Sequence, residues 1–116
     1  MMNKKGIATS FSTGEFEKTY EYIADNAVWE VIEESKFVGK EAILKNTLQV
    51  GAYFRSVTTD FRIINVIQEQ NFVAVSGTAE FLKNGKRVSF ISAFDLYEFD
   101  KNNLIQKITS YCIHSD

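Results

Sequence analysis

From Phe61 onward the chain reads as four long strand-like runs separated by short polar turns, and no other feature constrains the fold as much. Phe61 to Gln68 leads through Glu69-Gln70-Asn71 into Phe72 to Leu82. Lys83-Asn84-Gly85-Lys86 centres on Asn-Gly, the strongest short hairpin signal, because both residues accept the positive φ of a type I′ turn. Arg87 to Phe99 then passes through Asp100-Lys101-Asn102-Asn103 into Leu104 to Ile113. Connections this short join neighbouring antiparallel strands, so the pattern predicts a four-stranded meander. The chain contains no proline, where average usage of about 5% would give about six, and its absence suits long unbroken strands.

The first half has the helical period instead. Ile7, Ala8 and Phe11 predict a helix over 7–13, which Gly14 can end. Phe16, Tyr20 and Ile23 predict a second, with Asp25-Asn26 as a turn after it. Ala27-Val28-Trp29-Glu30-Val31-Ile32-Glu33 is β-branched and aromatic, and so predicts a strand that joins the meander. Ile43, Thr47, Val50, Phe54 and Val57 form one stripe of a helix over 40–57, broad enough to lie across a sheet. Gly51 within it is expected to permit close approach to a neighbour.

These runs account for one domain spanning residues 1–116. With 13 basic and 15 acidic residues the net charge is −2, with no clustered cationic face, which argues against nucleic-acid binding. One cysteine excludes an internal disulfide, and no Cys/His cluster suggests zinc. The N-terminus has positive charge without a following apolar run, and no stretch approaches the roughly 18 apolar residues of a membrane span. A cytoplasmic domain is the expectation.

Both faces of the meander are apolar in mid-strand. In 87–99, Ile91, Ala93, Tyr97 and Phe99 share one face, and Phe90, Phe94 and Leu96 the other. Helices can cover one face only. The outer face is therefore expected to be covered by a second copy of the chain, in a two-fold homodimer.

A sheet wrapped by helices leaves a cavity, the default binding site. Asp95 is the foremost candidate within it. Strands disfavour Asp, and a buried carboxyl must be paired or take up a proton. It then serves as acid, base or hydrogen-bond donor, or is held by neighbours for structural reasons alone. On the last strand Ile108, Ser110, Cys112 and His114 share one face and form a polar-tipped pocket edge. His114 is the only histidine and reads first as a chain-end surface residue, and Cys112 first as a buried structural thiol. Trp29 lines the pocket or fills the core. Tyr20 and Tyr53 pack in the core or donate into the cavity, while Glu30, Glu33 and Glu34 read as solvated charge.

Taken in order, Phe11-Ser12-Thr13-Gly14-Glu15-Phe16, Ile23-Ala24-Asp25-Asn26-Ala27-Val28-Trp29-Glu30, Phe37-Val38-Gly39-Lys40-Glu41-Ala42-Ile43 and Phe94-Asp95-Leu96-Tyr97-Glu98-Phe99 resemble a known superfamily. It is the nuclear transport factor 2-like superfamily, in its SnoaL-like branch of polyketide cyclases and ketosteroid isomerases. The resemblance implies a cone-shaped α+β fold, with three N-terminal helices packed on a strongly curved, mixed and mostly antiparallel sheet. It also places Asp95 where ketosteroid isomerase has its pocket aspartic acid, kept neutral to donate a hydrogen bond. Where that enzyme carries its general base this chain has Val31, and near its tyrosine donor it has Ala8. Ketosteroid isomerisation itself is therefore not expected. Arg55, Arg62 and Arg87 likewise stand outside the network of the fold's epoxide hydrolases.

The expectation is a pocket protein for a small apolar or cyclic molecule. Asp95 would perform isomerase- or cyclase-type acid/base chemistry, without cofactor or metal. Candidate walls are Tyr20, Trp29, Val31, Ile108, Ser110, Cys112 and His114. The alternative is a non-catalytic binding or dimerisation module of the same fold.

Overall fold

The computed structural model describes residues 2–115. Helix α1 (Lys4–Ser12) starts at Asn3, whose side-chain oxygen accepts from the Gly6 N–H at 2.7 Å. It ends before Gly14, at φ 82°. A 3₁₀ segment, Phe16–Tyr22, takes the place of the expected second α-helix. Strands β1 (Ile23–Val31) and β2 (Ser35–Val38) then form a hairpin before helix α2 (Lys40–Ser56). Strands β3 (Thr58–Glu69), β4 (Phe72–Lys83), β5 (Lys86–Phe99) and β6 (Ile105–Ser115) complete the described chain.

The six strands form one sheet in the order β2-β1-β6-β5-β4-β3. β1 and β6 pair in parallel and every other pairing is antiparallel, so the α+β fold has a mixed sheet. The meander stands in its expected order. Its turns use the expected chemistry, with Asn84 and Gly85 at φ 53° and 77°. Asp100 closes the last turn by accepting the Asn102 and Leu104 N–H groups at 2.8 and 3.0 Å.

Four expectations are corrected. Only two helical segments precede the first strand, and the third follows the β1–β2 hairpin, so three N-terminal helices do not stand together. Asp25-Asn26 is no turn. Both lie exposed inside β1, at an irregularity in its pairing with β6 between Ile23 and Val28. The first strand stops at Val31, and residues 32–34 turn into β2, which the patterning did not reveal. Gly51 is buried, yet an added Cβ would press only on Arg55 Nη1 of its own helix, at 3.3 Å, and would meet Phe16 at an ordinary 4.0 Å, so close approach to a neighbouring element does not require glycine there.

Gly77 is different. It lies on β4 opposite Ile63 and Ala93, beside the irregularity in β3 between Ile63 and Asn65. A Cβ there would sit 2.4 Å from the Arg62 carbonyl oxygen, closer than atoms pack, so only glycine lets the strands meet in this way.

The core lies between the helices and the inner sheet face. Ile7 and Phe11 from α1 and Ile43 from α2 meet Tyr97, Phe99 and Ile108. Phe11 sits edge-on to Phe16, Trp29 and Tyr97 at 5.0, 5.0 and 6.0 Å between ring centres. On the outer face Phe94, Tyr111 and Ile113 are exposed. Among the described residues, no helix is long and apolar enough to cross a membrane.

Candidate functional site

A cavity of about 600 Å³ opens between α2, the end of α1 and the inner face of the sheet. Its apolar wall includes Phe16, Phe54, Phe61 and Phe81, where Phe54 stacks on Phe81 at 5.7 Å and meets Phe61 edge-on at 5.1 Å. Glu34, Gln49, Tyr53 and His114 are exposed lining residues and mark its mouth.

Asp95 borders this cavity, half-buried in the middle of β5. The Ser12 hydroxyl, in the last turn of α1, donates to its Oδ2 at 2.8 Å. Ser12 has one proton to give. The Tyr97 hydroxyl, 2.6 Å from Ser12 Oγ, is therefore the donor in that second bond. On the other side Ser110 lies opposite Asp95 in the ladder and accepts from the Trp29 indole N–H at 3.0 Å. Its own hydroxyl proton is thereby left for the carboxylate. Burial raises the Asp95 pKa above the ordinary 3.8, against the smaller opposing pull of the Ser110 and Ser12 hydroxyls.

Burial, with the Asp95 charge behind it, also holds the Tyr97 hydroxyl well above its ordinary pKa, which keeps it a donor. The Cys112 thiol is pushed up to about 11, by burial first and then by Asp95 and Glu34. It is therefore a thiol at neutral pH rather than a nucleophile. Among the described residues, no group of three or more His, Cys, Asp or Glu side chains is placed to hold a metal ion.

Trp29, Val31, Ser110, Cys112 and His114 line the same cavity as Asp95. Two sequence candidates do not. The Tyr20 hydroxyl pairs with Thr47 at 2.8 Å, beside the core, and Ile108 is fully buried within it. Ser12 was not singled out by its sequence, because one hydroxyl in the last turn of a helix has no distinguishing pattern. Glu34 reads as solvated charge in sequence, yet it lines the cavity mouth 3.8 Å from His114 Nε2.

A mixed sheet with helices on one face and a carboxyl at the cavity wall defines a small α+β pocket fold. The SnoaL-like domain matches residues 6–108, and the chain belongs to that family. No functionally curated protein matches it. Among solved structures, an NTF2-like protein of unknown function from Cytophaga hutchinsonii is 30% identical, with a TM-score of 0.83 over 92% of this chain and 93% of its own. A Shewanella putrefaciens protein assigned as a SnoaL-like polyketide cyclase is 13% identical, with a TM-score of 0.72 over 97% of this chain and 80% of its own. A Kribbella flavida protein assigned as a ketosteroid isomerase is 11% identical, with a TM-score of 0.71 over 97% and 79%. The last two likenesses are of fold.

Proposed function

We propose that this protein binds a small cyclic ketone in the cavity and that Asp95 moves a proton on it. One observation carries the reading: a carboxyl with a raised pKa borders a largely apolar cavity of about 600 Å³. A raised pKa makes the carboxylate a stronger base, and its nearness to an apolar ring system suits removal of a hydrogen next to a carbonyl. The carboxylate takes that hydrogen as a proton, the ketone becomes its enolate, and return of the proton from Asp95 to carbon regenerates or isomerises the ketone. The Ser12 and Ser110 hydroxyls fix the carboxylate's position throughout. Neither a cofactor nor a metal enters this step.

The test is hydrogen–deuterium exchange of 2-tetralone in D₂O, followed by proton NMR. Exchange at the carbons flanking the carbonyl is expected to run about 10²–10⁴ times faster than in buffer, and to fall to background with Asp95→Asn. Exchange that ignores Asp95→Asn would remove the carboxyl from the chemistry. Binding without exchange would favour the non-catalytic reading. One observation supports that second reading: Ser12 and Ser110 already satisfy the Asp95 carboxyl.

The same reading includes a homodimer through the outer sheet face. Phe94 and Tyr111 stand exposed there, edge-on at 6.2 Å, with Ile113 68% exposed on the same strand. Sedimentation should find a dimer at micromolar concentration that Phe94→Glu converts to monomer. A monomeric wild type would end that part of the proposal.

A further inference from the structure

The cavity has a second polar station, far from Asp95. Glu34 lies in the turn after β1 and His114 near the end of β6. The parallel pairing of the two strands brings them together. Val31 lies opposite Ser110, and the Ile32 N–H donates to the Ser110 carbonyl at 2.9 Å, so the turn after β1 travels beside the end of β6. Glu34 Oε2 and His114 Nε2 then stand 3.8 Å apart, both lining the mouth and with side chains 46% and 57% exposed. That gap is too long for a hydrogen bond. The carboxylate has lone pairs to offer and the imidazole a ring N–H, and neither saturates the other.

We infer that Glu34 and His114 together bind a hydroxyl group at the far end of the ligand, so that the cavity selects a rigid cyclic ketone with its hydroxyl opposite its carbonyl. A hydroxyl oxygen between the two side chains donates its hydrogen to Glu34 and accepts one from His114. A hydroxyl both gives and takes in this way without bringing a charge. Length also enters. Ser110 lies opposite Asp95, and His114 is four residues further along β6, which is about 13 Å of strand. Allowing about 3.3 Å between the Asp95 carboxylate and the carbon that gives up its hydrogen, and a hydrogen bond of about 2.8 Å at the hydroxyl, leaves roughly 7 Å between that carbon and the hydroxyl oxygen. A fused bicyclic ketone with its hydroxyl at the opposite end comes close to that span. Between the stations the wall is apolar, with Ile91 and Ala93 on β5 and a protonated Cys112 thiol on β6.

The inference rests on the Asp95 reading for the carbonyl end, and three bicyclic probes separate the two. 2-Tetralone carries only the ketone, 5,6,7,8-tetrahydro-2-naphthol only the hydroxyl, and 6-hydroxy-2-tetralone both. Dissociation constants come from calorimetry. 6-Hydroxy-2-tetralone should bind about tenfold more tightly than 2-tetralone, the worth of about one net hydrogen bond. That ratio should fall to about one in both Glu34→Gln and His114→Ala, whose exposed side chains are not needed for folding. Tetrahydronaphthol should weaken in the same two variants and be indifferent to Asp95→Asn. Equal binding of the two ketones by the wild type, or a ratio that survives both mouth substitutions, overturns the inference. Exchange of 2-tetralone that survives Asp95→Asn, with naphthol binding still sensitive to Glu34 and His114, overturns the Asp95 reading and leaves the mouth site standing.

Discussion

Strand β5 is sealed along one half of its inner face and open along the other. Tyr97 and Phe99 are 0% and 1% exposed, beneath α1 and its neighbours. Ser89, Ile91 and Ala93, two-residue steps along the same face, line the cavity. The strand pattern is the same in both halves. What differs is cover: α1 ends at Ser12, and Ser12 is bonded to Asp95, the residue at the boundary. The cavity begins where the helix stops, so it arises from a helix terminus rather than from any special strand.

That contrast can be broken with one substitution made twice. Ile108 and Ile91 both face inward, opposite Tyr97 and His114 respectively. Ile108→Ala opens a void in the sealed half and should cost about 2–5 kcal/mol. Ile91→Ala enlarges an existing cavity that already meets solvent, and should cost less than about 1.5 kcal/mol, near the transfer value of the removed atoms alone. Urea unfolding measures both. Equal losses would mean that the open half is packed as tightly as the sealed one.

The open half also depends on a backbone contact. Gly77→Ala would place a methyl against the Arg62 carbonyl, and the β3 irregularity would have to move. The expected loss is about 1–3 kcal/mol, as for other overpacked sites. Because Ile63, Gly77 and Ala93 line the cavity, 2-tetralone affinity should fall as well. A variant with wild-type stability would show that the strands have slack there.

How much of this was legible in the sequence follows from the same division. The meander was legible because its turns carry Asn-Gly and Asn-Asn chemistry and its strands a two-residue period. β2 was not: four residues with one apolar pair, Phe37-Val38, carry too little pattern. Asp25-Asn26 misled because turn-forming residues also suit an irregular, exposed stretch of strand. Asp95 stood out because a charged residue on an apolar strand face needs a reason. Its partner Ser12 lies 83 residues away, and Glu34 reaches His114 only through the parallel β1–β6 pairing. Local composition has no access to either, since both are consequences of topology.

The smallest expected effect tests the boundary residue itself. Asp95 has a pKa above 3.8 in the folded chain because burial outweighs its two hydroxyl partners. As pH rises from about 3.8, the unfolded chain loses this proton first, so stability falls until the folded carboxyl has ionised too. The penalty is absent below that window and complete above it. Asparagine keeps the shape and one acceptor for Ser12 but does not titrate. Asp95→Asn should therefore melt higher than wild type at pH 7, by up to a few degrees, with the gap closing by about pH 3.5. Thermal melts by circular dichroism across that range measure it. A variant that melts lower at pH 7 would mean that the hydroxyl partners outweigh burial, as in a carboxyl kept for structure. A gain in stability on removing the charge is instead what a group retained for its chemistry predicts, because function holds in place a residue that folding alone would replace.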